Sequence, residues 1–235
     1  MKELLIIALG KPSGIVIYQL LDATQYTIYL SLLAFTGGAL VAAAITILRL
    51  VNMRWLQVIA DGYIWTFQSI PLLMLLFLSG LGAPRFFGIE VDPWLAACLS
   101  LTLHASAFLA DVWRGCIESI DKSQEEAARA LGLGWPTTII FVIAPQAMRV
   151  AIAPTVGFMV QIIKGTSMAY IIGFHDLMSI GKRWANASVP NTEPYIIFPI
   201  MALIYFSLCF PITLWSRSLE KRFGDSKESA RPLAM

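Results

Sequence analysis

Gln161 and Lys164 stand three apart in an apolar stretch, so a helix there presents an amide and an ammonium on one face. Such a lysine either draws in a carboxylate or snorkels to the nearest interface. Ser69-Ile70-Pro71 interrupts a second apolar stretch. A proline at that point frees a backbone carbonyl that must find a partner or line a wet cavity, or it simply bends the helix. His104 has no histidine or carboxylate three or four residues away, so an interhelical hydrogen bond is expected of it rather than a metal site or proton relay. Asp111, further along the same face, is placed to pair with Arg114. Cys98, Cys116 and Cys209 have no ligand spacing and read as small buried apolar residues, without metal or redox work.

Familiar enzyme signatures are missing. No G-x-x-x-x-G-K-[ST] phosphate loop occurs, and Gly132-Leu133-Gly134 runs into Trp135-Pro136 with no strand before it, which rules out a dinucleotide turn. Neither His104 nor His175 falls beside a serine or carboxylate motif that would suit a membrane hydrolase. An enzyme is therefore not expected, and a net charge of only +2 gives nucleic acid nothing to bind.

The elements that must position these residues are set by composition. The chain is 57% hydrophobic and 14% charged, with a mean hydropathy of +0.71, too apolar for a water-facing surface. Uncharged runs at 23–48, 62–84, 93–110 and 194–216 are each near the roughly 20 residues that cross a bilayer as a helix. A fifth run, 150–163, crosses if Arg149 lies at one interface and Lys164 lies inside the protein or at the other. The expected fold is an all-α integral membrane protein with about five spans. Residues 1–22 do not read as a cleaved leader, and Ile15, Ile17, Leu20 and Leu21 before Asp22 suggest a short amphipathic segment on the membrane surface. A transmembrane domain is expected over 23–218, with a polar loop at 115–149 and a tail at 219–235.

With five spans the termini lie on opposite sides. Arg49, Arg54, Arg114, Lys122, Arg129, Arg149 and the basic residues of the C-terminal tail fall on one side, and they outnumber Lys2, Lys11, Arg85, Lys164, Lys182 and Arg183 on the other. The positive-inside tendency then places the 115–149 loop and the tail in the cytoplasm and the N-terminus outside. Residues 81–92 and 165–193 should face outward, the latter with a short amphipathic or re-entrant piece around 171–180.

Inside the polar loop, Ser123-Gln124-Glu125-Glu126 fits a capping box, with Ser123 and Glu126 exchanging side-chain to backbone bonds. Ala127, Ala128, Arg129, Ala130 and Leu131 propagate a helix, and Gly132, Gly134 and Pro136 end it. Its small side chains could press into a groove on another protein, or the helix could merely join two spans.

Glu126-Ala127-Ala128, then Gly132, then Val142, then Ala144-Pro145 resembles the EAA loop of ATP-binding-cassette (ABC) importer permeases, with Val142 for isoleucine and Ala144 for leucine. Phe67-Gln68-Ser69-Ile70-Pro71-Leu72-Leu73 resembles the "FRGTPLL" segment of the polar amino-acid branch, the group of histidine, glutamine and arginine permeases. The run from Ala107 to Gly115 resembles "AYxAEIxRGG", and Lys164-Gly165-Thr166-Ser167-Met168 resembles "KDTSL". The likeness runs from about Thr24 to Ser218.

The resemblance implies a type I ABC importer permease fold in a bacterial cytoplasmic (inner) membrane. It implies that Ser123, Glu126, Ala127, Ala128, Gly132 and Pro145 form or support a coupling helix held by a cytoplasmic ABC ATPase dimer, which binds ATP and Mg while this chain holds no cofactor. A second permease subunit, identical or related, and an extracytoplasmic solute-binding protein complete the implied complex. Ser69, Pro71, Gln161, Lys164, Thr166 and Ser167 are the expected lining of the substrate path. A secondary transporter or channel subunit is the competing reading. It has no need of a docking helix, and five spans offer no obvious pair of inverted repeats.

Overall fold

The computed structural model describes residues 3, 11–51, 53–88, 90–187 and 189–228, and among these residues there is helix and no strand. Helix α1, Lys11–Leu50, is 40 residues long. At 1.5 Å per residue it extends about 60 Å, twice the hydrocarbon thickness. Its polar residues do not interrupt it, because Thr24 and Ser31 donate their hydroxyls to the Leu20 and Thr27 carbonyls at 2.8 and 2.6 Å. No break separates the described part of the segment expected at 1–22 from the first span. From Lys11 onward it is the first part of α1, because Val16 and Leu20 are buried against Leu177, Ile197 and Met201 and hold it in the bundle. Residues 1–2 and 4–10 lie outside the described residues.

The expected second span at 62–84 is broken. Helix α2, Arg54–Ser69, stops at Ile70-Pro71 and α3, Leu72–Phe77, starts in a direction bent by 95° from it. Pro71 cannot donate a backbone hydrogen bond, and Ile70 takes the extended conformation favoured before proline. The chain then winds through a π turn, Leu78–Gly82, into α4, Ala83–Phe87. Gly80 sits so close to Ile172 that a Cβ there would come within 2.7 Å of it.

Helix α5, Pro93–Glu118, begins at the Asp92 cap, whose carboxylate accepts from the Trp94 N–H at 3.0 Å. It is the central element. Leu101 and Ala105 meet Leu30 and Ala34 of α1 and Leu76 of α3 in one buried cluster. Small residues permit this approach, as Gly38 of α1 would place a Cβ within 2.7 Å of the Ala105 Cβ. After the polar loop come α6, Lys122–Ala130, the short α7, Trp135–Thr138, a π turn at Ile139–Ile143, and α8, Ala144–Thr166. A 3₁₀ turn, Ser167–Ile172, closes α8 on Gly173. Helix α9, Leu177–Ala185, is a short helix overlapping the stretch where an amphipathic or re-entrant piece was expected, and α10, Pro194–Glu228, ends the described chain.

Four continuous stretches, Ser13–Leu50, Pro93–Glu118, Trp135–Ile172 and Pro194–Phe223, are long and apolar enough to cross a membrane, and the bent α2–α3/α4 pair makes up to five. Trp113 of α5 donates its indole N–H to the Thr155 hydroxyl at 2.8 Å, and Ser216 of α10 donates to the Ala153 carbonyl at 2.9 Å. These bonds tie α5 and α10 to the two sides of α8.

Candidate functional site

The polar loop is a built structure at both ends. Asp121, rather than Ser123, caps α6: its carboxylate accepts from the Ser123 N–H at 2.9 Å. That backbone bond holds the Asp121 carboxyl below its ordinary range. The expected Ser123–Glu126 capping box is thus corrected. A full negative charge suits the positive end of a helix better than a hydroxyl does, and Ser123 instead occupies the first turn as the donor. At the other end the N–H groups of Leu131, Gly132 and Leu133 bond the carbonyls of Ala127, Arg129 and Ala128 at 3.1, 2.9 and 3.0 Å. This is a Schellman closure, and it requires the φ of +76° that Gly132 supplies.

Between these ends the faces separate. Ala128 is 3% exposed and turned into its own chain, so it anchors the helix and does not share the outward face expected of it. Glu126, Ala127 and Ala130 are exposed, and Leu131 is 80% exposed at the tip. Gln146, beside the exposed Pro145, donates to the Val142 carbonyl at 2.8 Å and reaches Gln124 of α6 at 3.4 Å. Arg114 pairs with Asp111 at 2.8 Å, as expected, and also with Glu118 at 2.9 Å, which stiffens the end of α5.

The expected path residues divide. Gln161 and Lys164 are exposed on one face of α8, and Ser69 and Pro71 are exposed at the α2–α3 break. That break lies against the lysine-bearing turn, because a Cβ on Gly165 would stand 3.0 Å from Leu72. Thr166 does not line an open path. It is fully buried with its hydroxyl bonded to the Ile163 carbonyl at 2.8 Å, because the turn that points Lys164 outward points Thr166 into the core. Ser167 is partly buried and donates to the Lys164 carbonyl at 2.6 Å. His104 also departs from expectation: its buried Nδ1 has no hydrogen-bond partner among the described residues, and its ring packs on Phe108 at 4.7 Å.

Lys164 opens into a groove of about 480 Å³ between α8 and α10, lined also by Val160, Tyr205, Phe206, Phe210, Thr213 and Arg217. The ammonium acts electrostatically on Cys209, which stands midway between Pro194 and Phe223. Lys164, in the last turn of α8, thus faces the middle of α10. The α10 side of this groove was not legible in the sequence, where Arg217 reads as an ordinary interfacial cation.

A second feature missed by sequence reasoning lies outside the spans. Asp176 is fully buried and caps α9 by accepting from the Ser179 N–H at 2.9 Å, while its other carboxylate oxygen has no partner among the described residues. Burial pushes its carboxyl up to about 6, against the pull of the Ser179 and Met178 N–H groups. The Leu177 N–H bonds the buried Thr27 hydroxyl of α1 at 3.2 Å, and Trp184 bonds Gln19 at 2.8 Å, so α9 is pinned to α1. The Asp-x-x-Ser spacing at 176–179 is the signal that could have found this cap.

The chain matches the family described as binding-protein-dependent transport system inner membrane component over residues 34–225. It is 31% identical over 199 residues to the probable glutamine ABC transporter permease protein GlnP of Bacillus subtilis (strain 168), covering 85% of this chain and 89% of that protein. It is 29% identical over 206 residues to the probable glutamine ABC transporter permease protein GlnM of the same strain, covering 88% of this chain and 94% of that protein. Among solved structures it resembles an amino acid ABC transporter with histidines, at a TM-score of 0.81 and 25% identity, over 87% of this chain and 94% of that one. A bundle of apolar helices around a capped polar loop, matched over this length, belongs to the binding-protein-dependent transport system inner membrane components, the membrane-spanning permease subunits of ABC importers.

Proposed function

We propose that this permease imports an amino acid across a bacterial inner membrane, and that α6 is its coupling helix. The observation that carries the second part is the shape of the loop. A helix capped at both ends and anchored by Ala128 presents Ala127, Ala130 and an 80%-exposed Leu131 to a partner. An exposed leucine at the tip of a polar loop gains by burial in a protein groove, and a stiffly closed helix can transmit displacement rather than absorb it. Two cytoplasmic ATPase subunits, which bind ATP and Mg, close and draw together the coupling helices of two permease subunits, identical or related. The attached spans then reorient around a path bordered by Ser69, Pro71, Gln161 and Lys164. In this reading Ser123, Glu126, Gly132 and Pro145 shape the docking element, and Ser167 braces the lysine-bearing turn.

Lys and Arg on the side that holds Arg49, Arg54, Arg114, the 115–149 loop, Arg217 and the tail outnumber those on the other side, which supports a cytoplasmic position for the loop and the tail, with the N-terminus outside. An extracytoplasmic solute-binding protein delivers the amino acid to the opposite face, where α9 and the loops flanking it lie. The amino-acid substrate is supported by the relatives, which are named for glutamine.

The test is purification from the native host, with subunits identified by mass, followed by reconstitution with the binding protein. ATP-dependent amino-acid uptake is expected. Uptake driven by an ion gradient without an ATPase would establish a secondary transporter instead.

A further inference from the structure

The groove between α8 and α10 is mostly apolar, carries two cations, Lys164 and Arg217, and holds no carboxylate. Lys164 enters at one end and Arg217 stands eight residues beyond Cys209, about 12 Å along α10. Neither forms an ion pair among the described residues. Phe206 and Phe210, which flank Cys209 at the Lys164 end, stack at 4.9 Å between centroids, and Thr213 lies on the same wall toward Arg217. Asp176 acts on Tyr205 electrostatically, yet it is fully buried and does not line the groove.

A cation that faces the middle of an apolar helix within the membrane is costly unless something neutralises it. A second copy of this chain is a poor source of that charge. Asp61 is paired with Arg49 at 2.6 Å and Asp111 with Arg114, which leaves few membrane-level carboxylates to offer. The charge complement is better met by a solute.

We infer that this groove is a substrate subsite selective for acidic amino acids. One carboxylate meets Lys164, the second is drawn toward Arg217, and the α-ammonium lies against the stacked rings of Phe206 and Phe210. A cationic amino acid would bring a third positive charge to a site with no anion to receive it. This rests on the reading of the Lys164 face as part of the import path and adds the substrate's charge class to it.

The test uses the complete complex with its ATPase in phosphatidylcholine nanodiscs, with radiolabelled glutamate as probe and unlabelled glutamine and arginine as competitors. Glutamate is expected to bind at least about 10-fold tighter than arginine. Lys164→Gln should weaken glutamate by about 10- to 100-fold, the loss of one charge-assisted bond, while Lys164→Arg recovers part of it. Co-elution with the ATPase verifies assembly of each variant. Equal competition by arginine, or unchanged glutamate binding in an assembled Lys164→Gln complex, overturns the inference. So does displacement of glutamate by phosphatidylglycerol that Lys164→Gln abolishes, since the groove would then hold a lipid headgroup. A complex that imports amino acids with ATP but shows no acidic preference refutes only this inference, whereas one that needs no ATP refutes the proposed function.

Discussion

Replacing Gly132 with valine perturbs the coupling loop through backbone conformation alone. The residue sits at a φ of +76° with nothing within 4 Å of the position a Cβ would take. Steric exclusion by neighbours is therefore absent, and the cost is the left-handed conformation itself. For an ordinary L-residue that is about 1–2 kcal/mol, at the upper end or beyond for a β-branched one, and less for asparagine. A 1.4 kcal/mol penalty is tenfold in a conformational equilibrium, so valine lowers the closed-to-open equilibrium constant of the Schellman end by about 5- to 30-fold. If α6 transmits ATPase closure only when that end is formed, amino acid imported per ATP hydrolysed in reconstituted vesicles should fall, by up to about that factor. Gly132→Asn should retain most of it, with Gly132→Ala between the two. The protein should still insert, because Gly132 lies outside the packed spans. Full coupling in Gly132→Val, with normal uptake and substrate-stimulated ATPase, would refute the assignment of α6 as the transmitting element.

Other outcomes follow from the same geometry. Asp121→Ala should speed hydrogen exchange of the first-turn amides of α6, whereas Ser123→Ala should leave them nearly unchanged, since the carboxylate is the cap. Asp176 holds its proton up to about pH 6 when folded but only to its ordinary 3.8 when unfolded. Folded stability should thus be highest below about pH 4, fall by about 3 kcal/mol as pH rises to about 6, and stay flat above. Asp176→Asn, which preserves a capping oxygen, should remove that slope in melting curves of the detergent-solubilised protein. Gly38→Ala drives a methyl to within 2.7 Å of the Ala105 Cβ and should destabilise the protein by about 1–3 kcal/mol in thermal unfolding, while Gly62→Ala, with no neighbour within 4 Å, should be neutral or slightly stabilising.

The number and rough position of the spans were legible because hydrophobic runs of this length admit one solution in a bilayer. So was the loop helix, whose alanines and closing glycine act locally. Its cap was misassigned because Asp121 and Ser123 both satisfy the local rule, and the choice depends on where the chain leaves α5. The break at Ile70-Pro71 was visible as a proline, but its 95° angle depends on Leu72 and Gly80 packing against Gly165 and Ile172, contacts nearly a hundred residues distant. The merging of residues 11–22 into α1 also depends on distant partners, Leu177, Ile197 and Met201. The groove is the clearest case: Lys164 was singled out, but its meaning required Phe206, Phe210 and Arg217 on another helix, which no local pattern connects to it.

The central claim is that α6 is a handle on the cytoplasmic side gripped by an ATPase. The direct measurement is thiol labelling at Leu131→Cys, in a chain with Cys98, Cys116 and Cys209 replaced, using a membrane-impermeant maleimide on right-side-out and inside-out vesicles with and without the ATPase. Labelling only in inside-out vesicles, and protection when the ATPase is bound, is the expected result. Labelling from the exterior, or equal labelling with and without the ATPase, would contradict it.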